Sequence, residues 1–243
     1  MNPVTLTLPL ALLALPLSAS GRIVEIVGTA RAGDKIAYVE KHKVEYADDG
    51  KLLHAETLYE SPDGKPIAEL KSDFTKSLTV PDHRVEDFRT GGVEGLRRER
   101  GKITLYDKAK GEPERTRVLD EKDAEDRILV GCQGLNYFVL GHLDDGRPIT
   151  SLPLRFLIPG KLDYYDFDMK EIDQPDKNIA EFEISIRNWF LSLFAPKLHA
   201  KYDRKTKRLV WYKGLSNIKN EEGKNQVVTI DYRYRDDTGS IAK

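Results

Sequence analysis

Among its 243 residues the chain has a single cysteine, Cys132, so no disulfide can form within it. A core stapled by bridges is excluded, and stability must come from buried apolar surface, for which an apolar content of 40% suffices. A dominant charge is missing as well. Interleaved along the chain, 39 Lys and Arg meet 40 Asp and Glu, which excludes the basic field that nucleic acid demands. The basic clusters Arg97-Arg98-Glu99-Arg100 and Arg204-Lys205-Thr206-Lys207-Arg208 read as solvated strand ends or turns, with anionic lipid headgroups as the alternative partner.

Chemical motifs are scarce too. The five histidines, His42, His54, His83, His142 and His199, never take the i, i+4 spacing of a helical metal site. The acidic stretch around Asp163, Asp166, Asp168 and Asp173 lacks the glycine and terminal glutamate of a calcium loop and reads as an alternating strand face. No Gly-x-Ser-x-Gly elbow occurs, and Ser216 within Gly-Leu-Ser-Asn reads as a turn residue bonding its own backbone. No catalytic residue, metal ligand or cofactor is expected, and an enzyme is not the favoured class.

Residues 1–20 contain no Asp, Glu, Lys or Arg. The apolar run TLTLPLALLALPL followed by Ser18-Ala19-Ser20 has the form of an export signal, cleaved near Ser20 or Gly21. As an anchor the run is too short for a membrane span, and Pro9 and Pro16 interrupt it. The expectation is a signal peptide over 1–20 and a single periplasmic domain over 21–243, without a stable transmembrane span.

Beyond residue 21 the pattern is short strands with frequent turns. Alternation places a strand over 35–46, with Tyr38, His42 and Val44 on one face and Lys41, Lys43 and Glu45 on the other. Asp48-Asp49-Gly50 and Ser61-Pro62-Asp63-Gly64 turn the chain into strands over 52–59 and 67–74. Shorter strands fit 85–89, 103–106 and 115–119. Three- and four-residue spacing of apolar positions predicts a helix over 128–142, weakened by Gly131, Gly134 and Gly141 at about 1 kcal/mol each. The run 152–158 predicts a strand buried on both faces. Strands follow over 163–170, 179–186, 198–202, 208–212 and 226–234, with a short helix over 187–194.

Near the C-terminus, Tyr202-Asp203, a polar turn, and then Leu209, Tyr212, Gly214 and Ser216-Asn217 form a pattern that resembles a family of uncharacterised exported Gram-negative proteins. A helix, a glycine and the run Leu152-Pro153-Leu154-Arg155-Phe156 resemble that family's middle section. The resemblance spans roughly residues 120–234. It implies a mainly β fold: an antiparallel, incompletely closed barrel, similar to the lipoprotein-carrier half-barrels of the periplasm, with a helical lid and one short additional helix. It carries no catalytic residues.

On that architecture Leu135, Tyr137 and Phe138 on the predicted helix, Trp189 and Phe190 on the short segment, and Trp211 on a late strand line an apolar groove. Plain core packing is the alternative and the commoner fate of buried aromatics. The expected function is to hold a hydrophobic or amphipathic ligand, a lipid or acyl chain, beneath the lid. The alternative is a non-catalytic envelope scaffold with a self-filled core and an envelope protein as partner.

Overall fold

The computed structural model describes residues 21–124, 127–143, 148–188 and 196–235. The expected leader lies outside them, as do Trp189, Phe190 and most of the short helix expected over 187–194.

The described strands are β1 (Arg22–Ala32), β2 (Lys35–Tyr46), β3 (Leu52–Glu60), β4 (Pro66–Asp73), β5 (Asp82–Asp87), β6 (Gly92–Glu99), β7 (Lys102–Lys108) and β8 (Arg115–Asp120). They continue with β9 (Ile128–Gly131), β10 (Leu152–Ile158), β11 (Asp163–Ile172), β12 (Ile179–Ile186), β13 (Leu198–Asp203), β14 (Arg208–Leu215) and β15 (Val227–Tyr234). All belong to one sheet, in the order β8-β7-β6-β5-β4-β3-β2-β1-β15-β14-β13-β12-β11-β10-β9. Two antiparallel meanders are therefore joined where β15 returns to pair with β1. The sheet is mainly β and not closed, since β8 and β9 are its two edges. Among the described residues no helix is long and apolar enough to cross a membrane.

Local chemistry accounts for most of this. Gly50 and Gly64 take φ of 82° and 83°, open to glycine at no steric cost, and each closes its turn by an N–H bond of 2.9 Å, to Ala47 O and Ser61 O. Asp166 and Asp168 of β11 share one face and are ion-paired there, Asp166 with Arg155 and Asp168 with Arg187, whereas Asp163 and Glu171 fall on the other.

The predicted helix over 128–142 is corrected. Its first four residues are β9, which pairs parallel with β10 from Ile128 opposite Leu154 to Gly131 opposite Leu157. A 3-10 turn, Cys132–Gly134, follows, and only α1 (Leu135–Leu140) is helical. Ile128-Leu129-Val130 is an apolar run that a ladder partner can pair; helical spacing and a strand buried on both faces are indistinguishable over so few residues.

The face of the sheet that carries α1 becomes an interior because the sheet rolls up. Leu154 and Leu157 lie on opposite faces of β10 and both are fully buried, as the sequence predicts. Leu154 packs with Val130, Phe138, Val139, Phe182 and Tyr202 in the cluster around α1. Leu157, facing the other way, packs with Leu96, Ile103 and Leu105 on the inner face of β6 and β7 and with Val80 from the segment between β4 and β5. The β9–β11 edge of the sheet is thus tucked inside the β6–β8 edge. The seam is held by Gly131 N–H donating to Thr79 O at 2.7 Å and by Arg117, which donates to Leu162 O at 3.2 Å and pairs with Asp163.

Candidate functional site

Inside the roll, α1 is flanked by the 3-10 turn and by the segment between β4 and β5, and the 3-10 turn itself meets the connection between β14 and β15 through Cys132 and Asn217. Phe138 is 4% exposed and Val139 fully buried among side chains of β9, β10, β12 and β13. Leu135 is half-buried against the same cluster, and Tyr137 meets Phe74 edge-on, ring centroids 4.9 Å apart. Asn136 Oδ1 accepts from the Tyr202 hydroxyl at 3.1 Å. Trp211 departs from expectation. It pairs with Lys201 and Asp231 on the outer face, where the Lys201 ammonium sits 4.9 Å from its ring centroid. Its neighbour Tyr212, opposite Ala200 and Ile230, is the one that faces in.

The wall that α1 shares with β1–β5 and β15 is unexpectedly polar. Glu40 is 5% exposed. Its Oε2 accepts from the Tyr232 hydroxyl at 3.2 Å and lies 3.0 Å from His42 Nε2. Since a carboxylate only accepts, His42 Nε2 donates to it, and Nδ1 shares a bond of 2.8 Å with the Thr57 hydroxyl. Hydroxyl, imidazole and carboxylate follow one another as in an activated nucleophile. Thr57 is 3% exposed, so its use would require the interior to open.

Tyr38 and Ser216 share a bond of 2.8 Å, and the Tyr59 hydroxyl bonds to the Asn217 side chain. Burial, reinforced by the Glu40 charge, pushes the phenols of Tyr38, Tyr59 and Tyr232 well above their ordinary pKa, so all three stay protonated donors. Ser216 also accepts from Ile218 N–H at 2.9 Å, the self-bonded turn read from the sequence, and it carries Ile218 into the core beside Tyr38 and Tyr59.

Cys132 closes the gap between α1 and that turn, its thiol donating to Asn217 Oδ1 at 3.1 Å. Burial, with the Glu94 and Glu40 carboxylates adding to it, pushes the thiol up to about 11. Because the thiolate is the reactive species, alkylation at pH 8 is expected to be on the order of a hundredfold slower in the folded protein than in denaturant. A stopped iodoacetamide time course read by mass spectrometry measures this, and equal rates would show that α1 stands open.

Two further buried polar residues share this inner wall. Ser72 on β4 and His83 on β5 are direct cross-strand partners, and both Ser72 Oγ and His83 Nδ1 are buried without a hydrogen-bond partner. Of the inward polar residues only His42 is singled out by the alternation of β2, although the same period of two turns Glu40 inward as well. Nothing local marks Ser72 and His83, whose meeting depends on the β4–β5 register.

On the outer face a depression of about 540 Å³ is lined by Arg84, Arg97, Tyr106, Lys108, Lys110 and Glu114. Arg84 is paired with Glu86 at 2.7 Å, and Arg97 with Glu114 at 2.8 Å. Solvent-facing pairs of this kind hold little energy, and we place the candidate site in the interior, where desolvated polar groups cost most. No family model, curated protein or solved structure matches this chain.

Proposed function

We propose that the chain is a binding protein for an amphipathic ligand, an acyl chain with a polar group, taken up on the inner face of the rolled sheet as α1 moves aside. The observation that carries this reading is the polarity of the interior. A core that only holds a fold together gains nothing from a buried carboxylate under tyrosines or from orphaned polar atoms, each of which costs stability. Such departures from structural economy mark functional ground.

The cover over that wall is of the kind that opens. The helix α1 has six residues, no side-chain bond at its N-cap, and few backbone bonds of its own. Withdrawing it would expose Phe182, Tyr202 and Leu154 on one side and Phe74 and Val44 on the other, an apolar channel along whose β2 wall Glu40 and His42 share the face of Val44. In this reading the rolled sheet acts as the half-barrel and α1 as its lid.

The test is a reversible lock. Asn217→Cys sets a second thiol beside Cys132, close enough for a disulfide between the 3-10 turn and the β14–β15 turn. The reduced variant is expected to take up a fluorescent acyl probe as the wild type does, and the oxidised variant to bind it at least tenfold more weakly, with recovery on reduction. Equal uptake in both redox states would overturn the opening of α1. No uptake by wild type would leave the interior filled by its own side chains, with the scaffold reading in its place.

A further inference from the structure

We infer that Ser72 and His83 together form the receptor for a hydroxyl group carried on the ligand's apolar chain, a step that rests on the binding function proposed above. The two residues lie opposite one another on β4 and β5, each 5% exposed, and Ser72 Oγ and His83 Nδ1 find no partner. Two orphans on adjacent strands of one inner wall, where the other buried side-chain groups of the described residues are bonded, point to a group that belongs between them.

The chemistry of the two orphaned atoms selects that group. Burial keeps the His83 imidazole neutral, and in the proposed receptor its proton sits on Nε2, which leaves the unpartnered Nδ1 as a lone-pair acceptor. The Ser72 hydroxyl can donate or accept. A ligand hydroxyl satisfies both at once, donating to Nδ1 and accepting from Ser72 Oγ–H. A carboxylate has no proton for Nδ1 and would bring an unpaired charge into the interior; an ether or ester oxygen could serve Ser72 alone. The surroundings are apolar: by register Val44 and Ala55 continue the row on one side and Leu96 on the other, with Phe74 and Val80 in the segment above. The favoured ligand is therefore a long-chain alcohol or a hydroxylated acyl chain.

Dodecan-1-ol and its methyl ether, of equal chain length, test this by displacing the fluorescent acyl probe from wild type and from Ser72→Ala. Wild type is expected to prefer the alcohol by about tenfold, because only the alcohol can donate to Nδ1; Ser72→Ala is expected to bind both compounds several-fold more weakly, since both oxygens accept from Oγ–H, and to keep that preference. The ligand-free melting temperature of Ser72→Ala is expected to equal or exceed that of wild type, because the variant removes an orphaned hydroxyl. Equal affinity of wild type for alcohol and ether would overturn the receptor while leaving the binding function standing. A lowered melting temperature of Ser72→Ala with unchanged affinity for both compounds would also overturn it, showing that a resident water bridges the pair. Failure of both compounds to displace, together with failure of the acyl probe itself, would instead remove the binding function on which the receptor rests.

Discussion

Gly134→Ala is expected to destabilise the protein by about 2 kcal/mol, whereas Gly141→Ala at the other end of α1 is expected to stabilise it slightly. Both glycines have ordinary right-handed backbone, with φ, ψ of −80°, −17° and −64°, −16°, so neither is required for conformation, and alanine gains up to about 1 kcal/mol of helix propensity at each. Space separates them. A Cβ on Gly134 would stand 1.8 Å from Thr79 O and 2.3 Å from its carbonyl carbon, whereas one on Gly141 would meet only Phe138 O at 3.5 Å and Tyr137 O at 3.6 Å. The Thr79 backbone cannot yield easily, because it accepts from Gly131 N–H and leads into the buried Val80, whose N–H is bonded to Ser77 Oγ at 3.0 Å. Overpacking against fixed backbone costs more than the propensity gain returns. Urea denaturation of the two variants measures the difference. Equal shifts of midpoint would mean that α1 does not dock closely on the 74–80 segment. The Cys132 alkylation rate should rise in Gly134→Ala and not in Gly141→Ala, because the same clash pushes the 3-10 turn away from Asn217.

How much of this is legible in the sequence follows from the range of each interaction. The bounds of β2 and β10 can be read directly, because alternation and a doubly apolar run are local signals, and the turns at Gly50 and Gly64 are marked by the residues they need. By contrast β1 and β6 leave weak traces. Along β1 most positions are half-buried, so the contrast between its faces is low, and β6 contains Gly92 and Gly95 with charged neighbours, which reads as punctuation. The mistaken helix over 128–142 has a similar origin. The partner that makes Ile128–Gly131 a strand is β10, reached across the chain segment that contains α1, and periodicity carries no information about a remote partner. The rolling of the sheet is equally silent. The sequence marks both faces of β10 as apolar but not that one of them meets Leu96 and Leu105.

The interior was half visible for the same reason. Phe138 and Tyr137 follow from helical spacing and do lie inside. Trp211 and Tyr212 differ by one residue, and the choice between them is set by the irregularity at Lys201/Tyr202, which shifts the register between β13 and β14. Glu40 was readable from its place between Tyr38 and His42. Ser72 and His83 were not, because their significance lies in the partners they lack.

Stability of the ligand-free protein is expected to fall by about 3 kcal/mol between pH 7 and pH 4 through His83 alone. Burial lowers its pKa from the ordinary 6.5 to about 4, against smaller opposing effects of the bond at Pro81 and the Asp82 carboxylate. Between those two values the unfolded chain binds a proton that the folded protein refuses, so stability rises with pH across the window, is fully present above about 6.5, and gains nothing further from this group below about 4. A difference of about two and a half units corresponds to about 3 kcal/mol. Carboxyls that the fold holds below their ordinary range, such as Asp166 beside Arg155 and Asp87 beside Arg89, also lose stability on acidification. They do so as pH falls through and below their own ordinary values near 4, at the acid end of the histidine window. Urea midpoints at intervals from pH 4.5 to 7, compared with those of His83→Leu, isolate the imidazole: the variant should show a much flatter dependence over this range whatever its absolute stability. Parallel slopes would mean that His83 is charged in the folded protein, and Nδ1 could then accept from no ligand. A hydroxyl donating to Nδ1 needs the neutral ring and holds it neutral. Ligand should therefore lower the folded pKa further, and a hydroxylated chain should remain bound down to about pH 4.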